Sequence, residues 1–510
     1  MMEQKRMKKE ITFTALLLGF IMLTGCHRVT LPMSYGESNS QPDIYPDYRD
    51  VTIPVNIAPL TFQLNGAEET PLIASFTCGE QQLLCDGTKI QPDEDDWREL
   101  VQAAAGNRIE VVVYAREDEL WRRYRPFTIT VSPDSIDPYI SYRLISPSYV
   151  TYEELTINQR CLENYDESVI YDNFLCSTEE NGQCINCHNY QQYNPERMQF
   201  HARQNLGGTV IAYDGKVRKI NMRNDSILSA GVYPTWHPWL NLIVYSTNKT
   251  SQTFHTRDLN KIEVFDSASD LIAYDVERNE VMNIENDTTE FEVFPFWAPD
   301  GRTLYYCSAH FEFRDTVSHD IETIMRAKEV KYSIYKKAFD PERRTFGHRE
   351  MVFDAAALDK SATLPRVSPD GRFLMFTLGG WGCFHIWHRD ADLYLLDLST
   401  GGVRPLDEIN SDNTESYHSW SSNGRWVIFS SRRDDGGYTR PFIAHIDANG
   451  YGSKPFELPS ANPDYHRQFM KSYNIPEFMR GPVTIKPQQF ADVLKTDGHT
   501  VKYVSRLSTD

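Results

Sequence analysis

The sequence predicts an all-β fold. Tyr 28, Phe 26 and Trp 9 stand beside 27 Gly and 27 Pro in 510 residues. This content, with turn dipeptides scattered along the chain, leans toward many short strands rather than long helices. A repeated aromatic, turn and strand unit in the second half points the same way. Hydrophobic residues make up 40% of the chain, enough for a packed core, so global disorder is excluded. The length exceeds one ordinary domain, and a net charge of −19 argues against nucleic acid as a partner.

Residues 1–25 read as a signal peptide. Lys5, Arg6, Lys8 and Lys9 precede the apolar run Ile11 to Thr24, which reaches about 21 Å as a helix, short of a hydrocarbon core of roughly 30 Å. Leu23-Thr24-Gly25-Cys26 resembles the lipobox of bacterial lipoproteins, which implies lipid, palmitate included, on Cys26. Removing four basic and two acidic side chains with residues 1–25 takes the mature chain to −21. Anionic membrane surfaces repel that charge, so the acyl group must do the anchoring. Residues 26–50, rich in Pro, Ser, Asp and Tyr, are expected to be a flexible tether.

Residues 51–135 hold short runs such as VTIPVNI, RIEVVVYA and PFTITVS, which suit a small β-sandwich-like domain, immunoglobulin-like in scale. DEDDWRELVQAAAG reads as a short helix, with Asp93 to Asp96 as a solvated helix start.

Four later segments share an aromatic, a turn and an alternating strand: YPTWHPWLNLIVYSTN, FPFWAPDGRTLYYCSA, LPRVSPDGRFLMFTLG and YHSWSSNGRWVIFSSR. Gly in the Pro-Asp-Gly turns supplies the positive φ such turns need. A period of 61 to 70 residues holds a four-stranded blade, and the architecture that repeats such units is a β-propeller. Six blades are expected over residues 136–505. Seven is the alternative, with C-terminal strands near 481–486 and 498–505 completing a blade.

Cys184-Ile185-Asn186-Cys187-His188 is a C-x-x-C-H sequence, the attachment signature of c-type haem. Two thiols at this spacing add to the vinyl groups, and His188 supplies a nitrogen to the iron. A tight disulfide remains open, as does a redox pair or half a zinc site completed by His201. The motif falls in an expected insertion at about 173–206, outside the propeller strands. Residues 194–201 read as a short helix whose Met198 and His201 share a face, either one a sixth iron ligand. The pairs Cys78/Cys85, Cys161/Cys176 and Cys307/Cys383 are candidate disulfides.

Trp297-Ala298-Pro299-Asp300-Gly301 and its degenerate copies resemble the TolB-type, WD40-like propeller repeat. Together with the lipobox, the haem motif, Gly207-Gly208-Thr209 and Ser472-Tyr473-Asn474-Ile475-Pro476-Glu477-Phe478, the chain is similar to TolB-like or cytochrome c biosynthesis lipoproteins of Gram-negative bacteria. The resemblance implies an outer-membrane lipoprotein facing the periplasm, held by lipid at Cys26, contacting envelope proteins through a propeller face and carrying haem for electron transfer, redox sensing or envelope assembly. A non-haem interaction scaffold is the alternative. A second is a metal-dependent carbohydrate-active enzyme using His237, His385, His388 and His418. No residue is assigned a catalytic role. Trp381 to His388 reads as an aromatic loop for packing or partner binding, and Arg432 or Arg433 is available to an acidic partner.

Overall fold

The structure, a computed structural model, describes residues 29–146, 154–178, 180–258, 260–314 and 317–509. Cys26 and the signal peptide lie outside them. The chain is all-β with a propeller arrangement, and an N-terminal module packs against the ring.

In that module, strands Tyr35–Glu37, Thr52–Pro54, Leu72–Cys78, Gln81–Gly87, Arg108–Glu117, Leu120–Arg123 and Phe127–Ser132 form one mixed sheet. Its backing is helix α1 (Glu94–Ala103) and the ribbon Ile44–Tyr45/Gln63–Leu64, rather than a second full sheet. The Asp93 carboxylate caps α1 by accepting from the Asp95 and Asp96 amides, so the acidic run starts the helix. Trp97 buries its ring edge-on to Phe76. Much of the expected tether belongs to the module: Tyr35–Glu37 pairs in parallel with Leu120–Arg123, and Ile44 and Tyr48 are buried. Aromatic and aliphatic side chains in that stretch gain more from burial than the Pro and Ser around them cost.

The propeller is built of antiparallel meanders whose innermost strands we label in chain order. They are β1 (Gln183–Gln191), β2 (Gly231–Trp236), β3 (Glu290–Trp297), β4 (Ser361–Val367), β5 (Glu415–Trp420) and β6 (Ser472–Met479). Each packs beside the next, and β6 returns to β1, so they enclose a central axis. β1 to β5 each lead outward through three further strands. β6 instead pairs with Tyr139–Ile145, placing a C-terminal strand inside the sheet begun by Tyr139–Ile145, Thr156–Cys161 and Glu167–Asp172.

Four further sequence expectations are corrected. Residues 183–204 are no insertion: they are β1 and its neighbour Asn194–Gln204. The expected helix at 194–201 is therefore strand, because partners on both sides satisfy its backbone. The C-terminal strands build no further blade. His499–Thr500 and Lys502–Tyr503 run parallel to Ile220–Asn221 and Glu280–Val281 at the outer edges of two sheets. Nor do separate sheets number the expected six or seven. Five carry the propeller, because the Ser269 to Phe291 bridge fuses the β2 and β3 meanders into one sheet of nine strands.

All eight described cysteines are free. Cys78 faces Gln81 and Cys85 faces Ala74 across one hairpin, four register steps or roughly 13 Å apart, beyond the reach of a disulfide. Cys161 and Cys176 lie toward opposite ends of one strand pair. The Cys383 thiol donates to the Val264 carbonyl and Asp266 instead of meeting Cys307.

Candidate functional site

Every innermost strand breaks its pairing at a bulge near its middle, and at each of these bulges a non-glycine residue takes a positive φ. These are Cys187 (56°), Tyr233 (48°), Phe294 (54°), Leu364 (55°), Tyr417 (49°) and Ile475 (53°). Each such conformation costs on the order of 1–3 kcal/mol and persists only where the surroundings enforce it. The six residues turn toward the axis and close it to a waist of about 30 Å³, lined also by His188, Arg366 and Glu477. On one side the axis opens into a funnel of about 420 Å³. On the other lies a chamber of about 100 Å³ beneath Trp236, Trp297 and Trp420.

The funnel wall is raised by the long hairpin Leu242–Phe254/Ile262–Asp275, which contributes Asn248, Thr250, Gln252, Phe254, Ile262 and Val264. Phe384 and Trp387 of the aromatic loop complete it. The loop is pinned by His388 Nε2 to Glu263 (2.9 Å), His385 Nδ1 to Thr363 (2.9 Å) and the stack of Trp381 on Phe265.

Arg143, Arg203 and Arg432 also line the funnel. Arg432 is 3% exposed, donates from Nε to the Ile386 carbonyl and from Nη1 to the Gly437 carbonyl (both 2.6 Å), and lies over the Trp387 ring. Burial pulls its pKa down to about 9. Arg143 donates from Nη1 to the Ile185 carbonyl at 3.3 Å, while its buried Nε finds no partner. Among the described residues neither guanidinium has a carboxylate at ion-pair distance. Arg433 contrasts with them, meeting Glu415 at 3.0 Å. Arg160 and Arg440 are likewise held by carbonyls, but they line none of these cavities. Between the two funnel arginines stands Tyr417, whose hydroxyl burial pushes up to about 12 while Arg143 and Arg432 pull it down. Unneutralised buried cations at a cavity wall are costly, and an incoming anion relieves that cost.

The expected haem residues separate here. Cys184 and Cys187 line the funnel, and burial raises the Cys187 thiol against the opposing Tyr233 amide, Arg203 and Arg143. His188 turns into the waist instead, where burial lowers its pKa to about 3. Met198 is buried in the apolar core between sheets, with Tyr171 and Phe200. His201, three residues along a strand and thus on the opposite face, bonds Thr209 Oγ1 at 3.1 Å. Neither lines the funnel or the waist.

Backbone extended through Cys184–Asn186 puts the two cysteine Cα atoms roughly 10 Å apart, against the 7 Å limit of a disulfide. A haem joined through both thiols would also need its macrocycle where His188 points, in a waist of about 30 Å³, far too small for it. These residues do not fit a c-type haem. Among the described residues, no cluster of three or more His, Cys, Asp or Glu is placed to hold a metal. The other candidate histidines are dispersed: His237 bonds the Gly301 carbonyl (2.9 Å) and His418 Nε2 the Met375 carbonyl (3.1 Å).

Sequence reasoning missed Arg143, Tyr233 and Tyr417. A signal existed, because Cys187-His188-Asn189-Tyr190, Tyr233-Pro234-Thr235-Trp236, Phe294-Pro295-Phe296-Trp297, Leu364-Pro365-Arg366-Val367, Tyr417-His418-Ser419-Trp420 and Ile475-Pro476-Glu477-Phe478 are copies of one bulge.

No protein-family profile and no curated protein matches this chain. Solved structures resemble it weakly. A puromycin-hydrolyzing peptidase of Mycobacterium tuberculosis aligns at 12% identity and TM-score 0.34, over 85% of this chain and 57% of its own. The periplasmic gluconolactonase of Pseudomonas aeruginosa aligns at 10% identity and TM-score 0.31, over 63% and 97%. The β-propeller domain of the Trilobed protease from Pyrococcus furiosus aligns at 12% and 0.30, over 70% and 96%. This chain spans less than two thirds of the length of the first peptidases it matches, 57% and 42%.

Proposed function

We propose that this chain is a TolB-like propeller lipoprotein of the outer membrane, anchored through lipid on Cys26. In this reading it is a binding scaffold, not a cytochrome or an enzyme, and its funnel captures the carboxylate end of a peptide segment from an envelope protein. The observation that carries the reading is the pair Arg143 and Arg432, one guanidinium half-buried and one buried, neither with a carboxylate at ion-pair distance among the described residues, at one cavity wall. Each guanidinium keeps N–H groups beyond those given to carbonyls, and charge-assisted N–H bonds to a carboxylate are among the strong ones. The Asn186, Asn248, Gln252 and Asn474 amides offer donors and acceptors to a peptide backbone, and Val232, Ile262 and Val264 offer apolar contact. A sugar is the weaker fit, because Arg432 already covers one face of the nearest indole, Trp387.

The test is calorimetric titration of the mature chain with hexapeptides bearing a free or an amidated C-terminus, alongside galacturonic acid trimer. Saturable binding of the free-acid peptides, weakened at least tenfold by Arg143→Gln or Arg432→Gln, is expected. Equal affinity for amidated peptides, or binding of the trimer alone, overturns the reading.

A further inference from the structure

The waist is walled unevenly. Five bulge residues, Tyr233, Phe294, Leu364, Tyr417 and Ile475, are large, and Cys187 is the small one. The residue after each bulge is proline in four strands, which has no side-chain donor or acceptor, and histidine in two. His418 uses its Nε2 on the Met375 carbonyl. His188 is different: it is 1% exposed, and neither ring nitrogen meets a partner at hydrogen-bonding geometry, although the backbones of Ser141 and Ile475 lie near. Cys187 lines both the funnel and the waist, so it stands on the boundary between them.

We propose that Cys187 and His188 form an open floor subsite of the funnel, reached past the small thiol, in which the imidazole receives an uncharged hydroxyl or amide group from the ligand. The assignment deepens the binding reading above and gives the C-x-x-C-H sequence a use other than haem. Burial keeps the ring neutral at physiological pH, and a neutral imidazole presents one donor and one acceptor, the complement of a hydroxyl or a primary amide. A carboxylate is disfavoured at this depth, because Arg366, the cation lining the same small cavity, already faces Glu477 at 3.8 Å. The anionic end of the ligand thus stays with Arg143 and Arg432, and a neutral group goes deeper.

Iodoacetamide and iodoacetate test this on the mature chain at alkaline pH. Both are attacked by the thiolate with iodide as leaving group, and they differ only in carrying an amide or a carboxylate. Alkylation of Cys187 is followed by peptide mapping, with the amide-to-acid rate ratio as the readout. Both reagents are expected to reach Cys187 in the folded protein. His188→Leu lowers the ratio at least threefold, His188→Gln, which keeps a donor and an acceptor, retains it, and Arg143→Gln raises it by slowing iodoacetate. A Cys187 that reacts only in urea, a ratio unmoved by His188→Leu, or a Soret band on this peptide that survives acid–acetone extraction overturns the assignment. The alkylation result does not depend on hexapeptide binding, so the two readings fail separately.

Discussion

The Arg432 guanidinium lies over the Trp387 ring at 3.4 Å from its centre, and this contact joins the loop after one blade's second strand to the equivalent loop of the next. Desolvated contacts of this kind contribute up to about 2 kcal/mol. Arg432→Lys keeps a charge but loses both the planar stack and the forked donation to Ile386 and Gly437. A loss of about 1–2 kcal/mol in urea unfolding is expected, with a shift in tryptophan emission; an unchanged midpoint would show the stack to be idle.

Acid should destabilise the protein through buried histidines. Burial lowers His188, His201 and His418 to about 3, whereas an unfolded histidine titrates near 6.5. Between those values the unfolded chain binds more protons, so this stability is complete above about pH 6.5 and drains as pH falls toward 3. Glu477, raised to about 7 chiefly by burial, has the opposite sign: its contribution is present at low pH and lost as pH rises from about 4.5 to 7. His201→Gln should therefore shrink the fall in unfolding free energy between pH 7 and pH 5 by about 2 kcal/mol, and an identical pH slope in wild type and variant would refute this.

Gly301 has a φ of +55°, and a Cβ there would strike the Trp239 ring and His237 Cε1 at 2.8 Å. Gly301→Ala combines left-handed strain with a clash against rigid rings, and about 2–3 kcal/mol of destabilisation is expected. Gly371→Ala supplies the control: its φ is +74° but no atom lies within 4 Å of the added Cβ, so about 1 kcal/mol is expected. Equal losses at the two sites would remove the steric part of the argument.

Thiol titration of the unreduced mature chain in denaturant should count eight free cysteines. A reducing agent should leave the melting temperature unchanged. Fewer thiols, or a melt lowered by reductant, would mean that the chain carries a disulfide its strand register forbids.

The fold was legible wherever the repeat kept its turn. Pro-Asp-Gly and Ser-Asn-Gly at 299–301, 369–371 and 422–424 sit where an innermost strand hands over to its neighbour, with Gly301, Gly371 and Gly424 all at positive φ. β1 is hidden because Gln192-Tyr193 turns the chain there without glycine, both residues taking positive φ, and because a C-x-x-C-H sequence carries a strong chemical association of its own. Local sequence at 194–201 favoured a helix, and pairing on both edges overrode it. The sequence offers Arg432 or Arg433 to an acidic partner, and Arg433 meets Glu415 within its own blade, but the second funnel arginine is not local to either. Arg143 reaches the same funnel only because ring closure sets Tyr139–Ile145 against β6.

That closure joins Tyr139 to Met479, residues 340 positions apart. Pairing at such separation is slow to find, since chain entropy must be lost before any contact repays it. Until β6 emerges during synthesis, the strand Tyr139–Ile145 presents a bare edge to the solution, as it would permanently in a chain clipped before residue 472. Bare edges recruit strands from other molecules. The last tenth of the polypeptide is thus what separates a closed ring from one with an open edge.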